Sequence, residues 1–402
     1  MKKLLILALA FVVPCLAVDI DISTQSLTIS DSDSYVVTGT TTINTITVTS
    51  GSPTITLDDC SINVADTAFA ITGGSVTLVL SGDNALTSGG GPGLRVATSA
   101  SLTVSSASTG TLEARGGSSA AGIGGKNGES SGAIVINGGS ITAYGANYAS
   151  GIGGGAHGVA NLTINDGTVT AQAGYCSAAI GGGTGYGGHA GSITINGGYV
   201  YAFASNASGI GCGDEGGHNT YPAGTVTING GTVYAKATLG AGIGAGNGYG
   251  DSGRGPNIHI TGGSIYAISE QGLPLGPGRG NGECPDPINP TTGEVIYCAT
   301  LPNAAATAWQ ISDTSGSDYT YTAESDSVPP LEYSYSGRGH EGISDLFFYL
   351  PNGDYVVSGS DAAENRRYTG TIADGEATFT AVPEPCLALL ALLGAALLGR
   401  RK

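Results

Sequence analysis

Charged residues are scarce in this chain, and basic residues are the scarcest. Lys and Arg together number 14 against 31 Asp and Glu, and charged residues make up 11% of the 402 positions. Binding of nucleic acid depends on a basic surface that neutralises phosphates, so this composition argues against it. Aromatic residues are also few, at 6%, whereas glycine occurs 70 times. The chain therefore does not have the composition of an ordinary globular protein.

The N-terminus is typical of a secretory signal peptide over residues 1–17. A basic start, Lys2-Lys3, precedes an apolar run and a small-residue exit that ends at Ala17. Cys15 offers a lipoprotein alternative, but Pro14 stands where that signal needs a small residue. We therefore expect the chain to be exported. The exported part then has nine basic residues against 31 acidic ones, a net charge near −22.

The C-terminus, residues 381–402, carries a second targeting pattern. A Pro-Glu-Pro tripeptide precedes an apolar run and a basic end. The run is shorter than the ~20 residues of a full membrane span, and a plain anchor is one interpretation. The three-part order resembles the PEP-CTERM sorting signal, which implies recognition by an exosortase, transient anchoring of the apolar helix in the inner membrane, and release to the cell surface or extracellular matrix. The residues that carry the resemblance are Pro383, Glu384, Pro385, Arg400 and Arg401.

Five cysteines fall in the predicted exported part, where an oxidising environment permits disulfides. Cys284 and Cys298 bracket a proline-rich loop and are the best candidate pair. Cys176 and Cys212 occupy different positions of neighbouring repeats, so we do not expect them to pair. Since Cys60 makes the count odd, at least one thiol is left unpaired or intermolecular.

Two phrases recur in step along the middle of the chain. The first reads IVINGGSITA at residues 134–143, and the second reads GIGG at 122–125; their later copies advance together by 28 to 33 residues. Inward Ile193 and Ile195 alternate with outward Thr194, which predicts strands. The Asn-Gly-Gly between strands is turn chemistry. Each repeat is thus one coil of about three strands, and stacked coils bury a continuous aliphatic interior.

The asparagine of the turn has two interpretations. It either fits the turn alone, or it also hydrogen-bonds to its counterparts in neighbouring coils as a side-chain ladder. The asparagines concerned are Asn137, Asn165, Asn196 and Asn229, with Thr261 in the last copy.

These patterns predict an all-β protein. A right-handed parallel β-helix (a solenoid) covers residues 18–280, with an N-terminal cap near 19–29, and a small antiparallel β module or C-terminal cap covers 281–380. In the module we expect a hairpin around Asn352-Gly353, further strands at 368–372 and 377–379, and Trp309 in the core. From residue 80 to the Ile-Gly-Gly phrases, the chain resembles bacterial surface solenoids of the pectate-lyase-like or carbohydrate-binding kind. This resemblance implies the architecture and leaves the activity open.

Aromatic residues follow the outer face of successive coils after the Asn-Gly-Gly turn. Because coils lie ~4.8 Å apart, these side chains should form one strip, which we call the aromatic strip. An exposed strip of this size marks a binding surface, and we expect it to stack on sugar rings of a polysaccharide. The alternative is that the C-terminal module covers it. The strip consists of Tyr144, Tyr201, Phe203, Tyr234 and Tyr266.

We expect no catalytic residue, no metal and no cofactor. A β-helix polysaccharide lyase or glycoside hydrolase, the alternative function, needs several carboxylates and a basic group that converge on one face. The charges in the repeats do not recur at one coil position; Asp214-Glu215 and Asp251 to Arg254 come closest to such a set. His157, His189 and His218 have unequal offsets from the repeat, which fits a metal site poorly. The sequence therefore predicts a non-enzymatic structural or adhesive surface protein that binds polysaccharide.

Overall fold

In the residues that the structure describes, the chain folds as a stack of ten coils followed by a set of antiparallel strands. The structure is a computed structural model that describes residues 17–185, 188–214, 224–247, 255–260, 263–271, 275–276, 295–297, 307–311, 319–327, 330, 332–337, 346–350, 352–361, 365–373 and 376–382. Within these residues the regular elements are all β-strands. The all-β prediction is confirmed.

The coils stack as three columns of parallel strands, which we call A, B and C in chain order within a coil. Column A contains β1 (Val18–Asp21), β3 (Ser34–Thr41), β5 (Thr54–Val64), β7 (Ser75–Ser81), β10 (Ser101–Val104), β13 (Ala133–Ile136), β16 (Ala160–Ile164), β19 (Gly191–Ile195), β22 (Thr225–Ile228) and β25 (Asn257–Ile260). Column B begins with the second halves of β3 and β5 and continues as β8 (Asp83–Ser88), β11 (Thr111–Arg115), β14 (Ser140–Tyr144), β17 (Thr168–Gln172), β20 (Tyr199–Ala204), β23 (Thr232–Ala237) and β26 (Ser264–Ser269).

Column C is made of short strands. Its members are β2 (Leu27–Ile29), β4 (Ile46–Val48), β6 (Phe69–Ile71), β9 (Leu94–Val96), β12 (Ile123–Gly124), β15 (Ile152–Gly153), β18 (Ile180–Gly181), β21 (Ile210–Gly211), β24 (Ile243–Gly244) and β27 (Leu275–Gly276). Consecutive members start 19 residues apart between Leu27 and Ile46 and 33 apart between Ile210 and Ile243, so the coils lengthen along the stack.

Aliphatic side chains fill the interior in register. Ile164 lies opposite Ile195, which lies opposite Ile228, and all three are fully buried. Burial of each such side chain contributes ~1.5–3 kcal/mol. The predicted stacking of the repeats is therefore confirmed.

Glycine forms the corner of column C. Gly153 and Gly181 have φ of 133° and 141°, a region that side-chain-bearing residues rarely adopt. A Cβ atom on Gly153 would also overlap the carbonyl oxygen of Gly181 in the next coil. The Ile-Gly phrase thus supplies one buried aliphatic residue and one position where neighbouring backbones touch.

The turn asparagines form the predicted ladder. The Nδ2 of Asn165 donates to Oδ1 of Asn137 at 2.7 Å, Asn196 donates to Asn165 at 2.8 Å, and Asn229 donates to Asn196 at 2.8 Å. In these turns the left-handed residue is the second glycine, such as Gly198 at φ 78°, and the asparagine has negative φ. The turn does not need asparagine for a left-handed backbone, and its side chain forms hydrogen bonds between coils. The ladder interpretation is confirmed.

The first coil begins at Val18. The segment near residues 19–29, predicted as a cap, pairs within the stack: β1 lies parallel to β3, and β2 lies parallel to β4. Asp19 and Asp21 are exposed on its outer edge. Charges on an open strand edge discourage pairing with other chains.

The other end of the stack meets an antiparallel strand, β28 (Val295–Tyr297), which pairs with β26. The remaining strands form two sheets that we call the C-terminal module. One sheet pairs β29 (Thr307–Ile311) with β32 (Leu346–Leu350), and the other has the order β31-β30-β33-β34-β35, with β30 (Tyr319–Ser325), β31 (Glu332–Gly337), β33 (Gly353–Asp361), β34 (Asn365–Ala373) and β35 (Glu376–Ala381).

The hairpin predicted around Asn352-Gly353 is wrong. Leu350 pairs with Thr307 in one sheet, whereas Asp354 pairs with Thr371 in the other. The chain changes sheets at this turn, since β32 pairs with β29 whereas β33 lies between β30 and β34, and this long-range pairing overrides the local Asn-Gly signal. The strands predicted at 368–372 and 377–379 lie within β34 and β35 and are confirmed; the structure pairs them with each other.

Candidate functional site

The aromatic strip is divided between open and covered residues. Tyr234 and Tyr266 are only 8% and 2% exposed, whereas Tyr144, Tyr201 and Phe203 are half-buried. The expectation of a strip exposed along its whole length is therefore wrong for Tyr234 and Tyr266, and the alternative, cover by the C-terminal module, holds there.

The C-terminal module supplies the cover. Tyr234 and Tyr266 share one buried cluster with Trp309 and with residues of both module sheets, namely Ile311, Tyr321, Ala323, Leu350, Tyr355, Val357 and Ile372. Trp309 stacks on Phe379 with ring centroids 4.1 Å apart and meets Tyr368 edge-on at 4.9 Å. Trp309 is thus a core residue, as the sequence predicts. Apolar burial at this cluster docks the module on the outer face of column B.

A second row of column B side chains stays accessible. The strand register places Arg115, Tyr144, Gln172, Phe203 and Lys236 opposite one another in five successive coils. Each is exposed or half-buried. We call this row the outer file. Adjacent members are one strand spacing apart, ~4.8 Å, so the outer file spans roughly 19 Å.

Planar groups dominate the outer file. The Arg115 guanidinium carbon lies 3.8 Å from the centre of the Tyr144 ring, a cation–π contact. The Gln172 amide and the Phe203 ring follow, and the Phe203 ring centroid lies 5.6 Å from that of Tyr234. The buried Tyr234 therefore fixes the position of the Phe203 ring. Rings and amides in one row can stack on sugar rings and hydrogen-bond to their hydroxyls.

Charges along the outer file are paired. Arg115 Nε donates to Glu113 at 2.6 Å, and Lys236 Nζ lies 3.3 Å from Glu270. The hydrogen bond to Glu113 raises the pKa of Arg115 further above its usual range. Because each cation has its own carboxylate, the row is close to neutral. This arrangement suits a neutral ligand better than a polyanion.

Arg115 is the member of the outer file that the sequence did not reveal. It lies in coil five, before the clear repeats begin, so no repeat phrase aligns it with Tyr144. The strand pairing of β11 with β14 establishes the alignment.

The structure describes only part of the predicted charge and histidine sets on the solenoid. No group of three or more His, Cys, Asp or Glu among the described residues is arranged to hold a metal ion. His157 is exposed and His189 half-buried, while Asp214 is buried. Four of the residues considered lie outside the described part: Glu215, His218, Asp251 and Arg254.

Glu129 has a structural role. Arg95 donates two hydrogen bonds to its carboxylate, at 3.0 and 2.9 Å, which ties two successive coils together. Burial favours the neutral acid, but the Arg95 hydrogen bonds and charge together with the Lys126 backbone N–H outweigh it, and the pKa of Glu129 is lowered.

An open groove of about 760 Å³ lies in the C-terminal module. Three carboxylates, those of Glu324, Asp326 and Asp354, line it together with Arg367. All four side chains are exposed, and Thr371 donates a hydrogen bond to Asp354. Several carboxylates beside one basic group are the set that the enzyme alternative requires, although in the module and not in the solenoid.

Several predicted sites fall outside the described residues. They are the signal peptide up to residue 16, the cysteine pair Cys284 and Cys298, and the sorting residues from Pro383 to Arg401. Cys60 is a fully buried thiol, and burial raises its pKa to about 12. In the described part of the chain, no helix has the length and hydrophobicity to cross a membrane.

Comparison with known families supports the architecture. A family model described as "Beta helix repeat" matches residues 134–156, 162–191, 193–214 and 226–247, which lie in coils six to nine. The solenoid is a parallel β-helix. Comparison with curated proteins and with solved structures gave no match.

Proposed function

We propose that this protein is a non-enzymatic β-helix of the cell surface or extracellular matrix that binds a neutral polysaccharide along the outer file. The observation that carries the proposal is the register of Arg115, Tyr144, Gln172 and Phe203 on four successive rungs. A row of planar groups at regular spacing matches a polymer of repeated rings. The similarity to β-helix repeats and the implied likeness to carbohydrate-binding solenoids support the same class of ligand.

The location rests on the two ends of the sequence. The signal-peptide pattern at residues 1–17 supports export, and the resemblance to a PEP-CTERM signal at 381–402 supports sorting by an exosortase. The test is cell fractionation of the native host, followed by immunoblotting. We expect the protein in surface or matrix fractions, and deletion of 383–402 should leave it in the periplasm or medium. An intact protein that stays in the cytoplasm would contradict the proposal.

Binding is tested by affinity electrophoresis of the full chain in gels that contain soluble glucans, mannans, galactans or acidic polysaccharides. We expect retardation by at least one neutral polymer, with little effect of added salt. Replacement of Tyr144 and Phe203 by Ala should weaken retention roughly fivefold or more, because each ring contributes ~0.5–1.5 kcal/mol. Thr170→Ala, in the neighbouring row, is the matched control. Retention that is equal in the double variant and the control would refute the role of the outer file.

The groove of the C-terminal module favours one second candidate, a polysaccharide hydrolase or lyase. Release of reducing ends or unsaturated products from the same polymers would support it. Glu324→Gln and Asp354→Asn should then abolish the release without weakening retention. Absence of product with every polymer that the protein binds would remove this candidate.

A further inference from the structure

A pair of tyrosines outside the outer file is also exposed. Tyr148 and Tyr175 are 44% and 54% exposed, the first in the loop between columns B and C of coil six and the second in the same loop of coil seven. Their ring centroids lie 6.4 Å apart at an interplanar angle of 78°. Exposed aromatic rings in contact with each other, on adjacent loops, are uncommon without a ligand or partner to cover them.

The backbone fixes this pair. The Tyr148 N–H donates to the Tyr175 carbonyl at 2.9 Å, and the Thr184 N–H donates to the Tyr148 carbonyl at 3.0 Å. Directly below, the buried Ser177 hydroxyl donates to the Ala149 carbonyl at 2.6 Å. Hydrogen bonds therefore hold the two loops that carry the rings against each other.

Tyr148 has a left-handed backbone conformation, which residues other than glycine rarely adopt. Its φ is 70°, and the same loop has positive φ at Ser119 in coil five and at Cys176 in coil seven. The loop shape thus demands a left-handed residue, where glycine would fit without strain. A large aromatic residue at such a position, with its ring in solvent, indicates a use for the ring beyond folding.

The two loops that carry the pair contain no charged side chain. Loops 145–151 and 173–179 consist of Gly, Ala, Ser, Asn, Tyr and Cys. Neither phenol hydroxyl hydrogen-bonds to another described residue, so both are open to a ligand. Two ring faces at nearly right angles, with polar tips, suit the C–H face and hydroxyls of a neutral sugar better than a charged group.

We propose that Tyr148 and Tyr175 form a second carbohydrate contact, which stacks on a sugar ring of the same class of neutral polysaccharide. This inference rests on the proposed function, but different side chains carry it. Both loops follow column B strands that end in the outer file, at Tyr144 and Gln172. A polysaccharide bound along the outer file can therefore extend around the corner of the coil to the two tyrosines.

The test uses the full chain and the neutral polysaccharide that retards it in gels. Tyr148→Gly removes the ring and suits the left-handed backbone, so the melting temperature should stay the same or rise. Tyr175→Ala removes the second ring at a position without this strain. Each variant should bind roughly two- to tenfold more weakly. Tyr199→Ala, an exposed tyrosine in neither site, is the control and should bind like the wild type.

The possible outcomes separate the two proposals. Wild-type affinity in both Tyr148→Gly and Tyr175→Ala, with loss in the Tyr144/Phe203 double variant, would overturn the second contact and leave the outer file standing. A loss of binding that appears only with a lowered melting temperature would assign the pair a structural role and would also overturn it. If the wild-type protein binds none of the polysaccharides, both the outer-file proposal and the second contact are contradicted.

Discussion

The asparagine ladder makes a quantitative prediction. Asn196 takes part in two side-chain hydrogen bonds, to Asn165 and from Asn229, whereas the terminal Asn137 takes part in one. The amides are exposed, so the groups left behind can turn to water, and each bond contributes ~0.5–1 kcal/mol. We expect Asn196→Ala to lower the free energy of unfolding by about 1–2 kcal/mol and Asn137→Ala by half as much.

A double-mutant cycle sharpens this prediction. Asn165→Ala and Asn196→Ala each remove two bonds, but the double variant removes three, because the two residues share one. The double variant should therefore be more stable than the sum of the single effects suggests, by one bond or ~0.5–1 kcal/mol. Alanine is compatible with the negative φ of both positions, so backbone strain does not enter.

Urea unfolding followed by far-UV circular dichroism measures these differences. Asn63→Ala, on an exposed outward position of β5, provides a baseline for loss of a surface amide. Equal losses for Asn196 and Asn137, or strict additivity of Asn165 and Asn196, would refute a ladder that stabilises the stack.

Three further predictions follow from the packing. Gly181→Ala should lower stability by about 1–3 kcal/mol more than Gly128→Ala in thermal unfolding, because both have positive φ but only the first would drive a Cβ into a neighbouring backbone; equal effects would contradict the close approach. Tyr266→Ala should cost about 3–5 kcal/mol and expose the C-terminal module to limited proteolysis while the coils persist; an unchanged digest would contradict docking at this residue. The pKa of Glu129 is lower in the folded than in the unfolded protein, so its carboxylate stabilises the fold above the unfolded pKa, and this stability is lost as pH falls through the folded pKa. Glu129→Gln should therefore lessen the loss of stability below about pH 4.5; identical pH profiles would exclude this carboxylate as a cause.

The interior of the solenoid was predictable because its rules are local and repeated. Ile164, Ile195 and Ile228 recur at one place in an alternating phrase, and stacking is the arrangement that buries them all. The asparagine ladder follows from the same recurrence. The corner glycines were also predictable, because Ile-Gly recurs once in each of coils five to nine.

Which residues of the aromatic strip are buried was not predictable in the same way. Tyr201, Tyr234 and Tyr266 are equivalent in the repeat, yet burial increases along the stack because the C-terminal module docks over the last coils. That contact joins residues far apart in sequence, and no local pattern encodes it. Tyr148 was missed for a different reason: it lies in a loop, and its left-handed backbone is visible only in the structure.

Hydroxyl-radical footprinting with and without a bound neutral polysaccharide tests the central claim most directly, because it reports which side chains the polymer covers. We predict reduced oxidation of Tyr144 and Phe203, together with unchanged oxidation of Tyr199 on the same face of column B. Protection confined to the module groove, or oxidation of Tyr144 and Phe203 that is unaffected by saturating polysaccharide, would contradict a binding surface on the outer file.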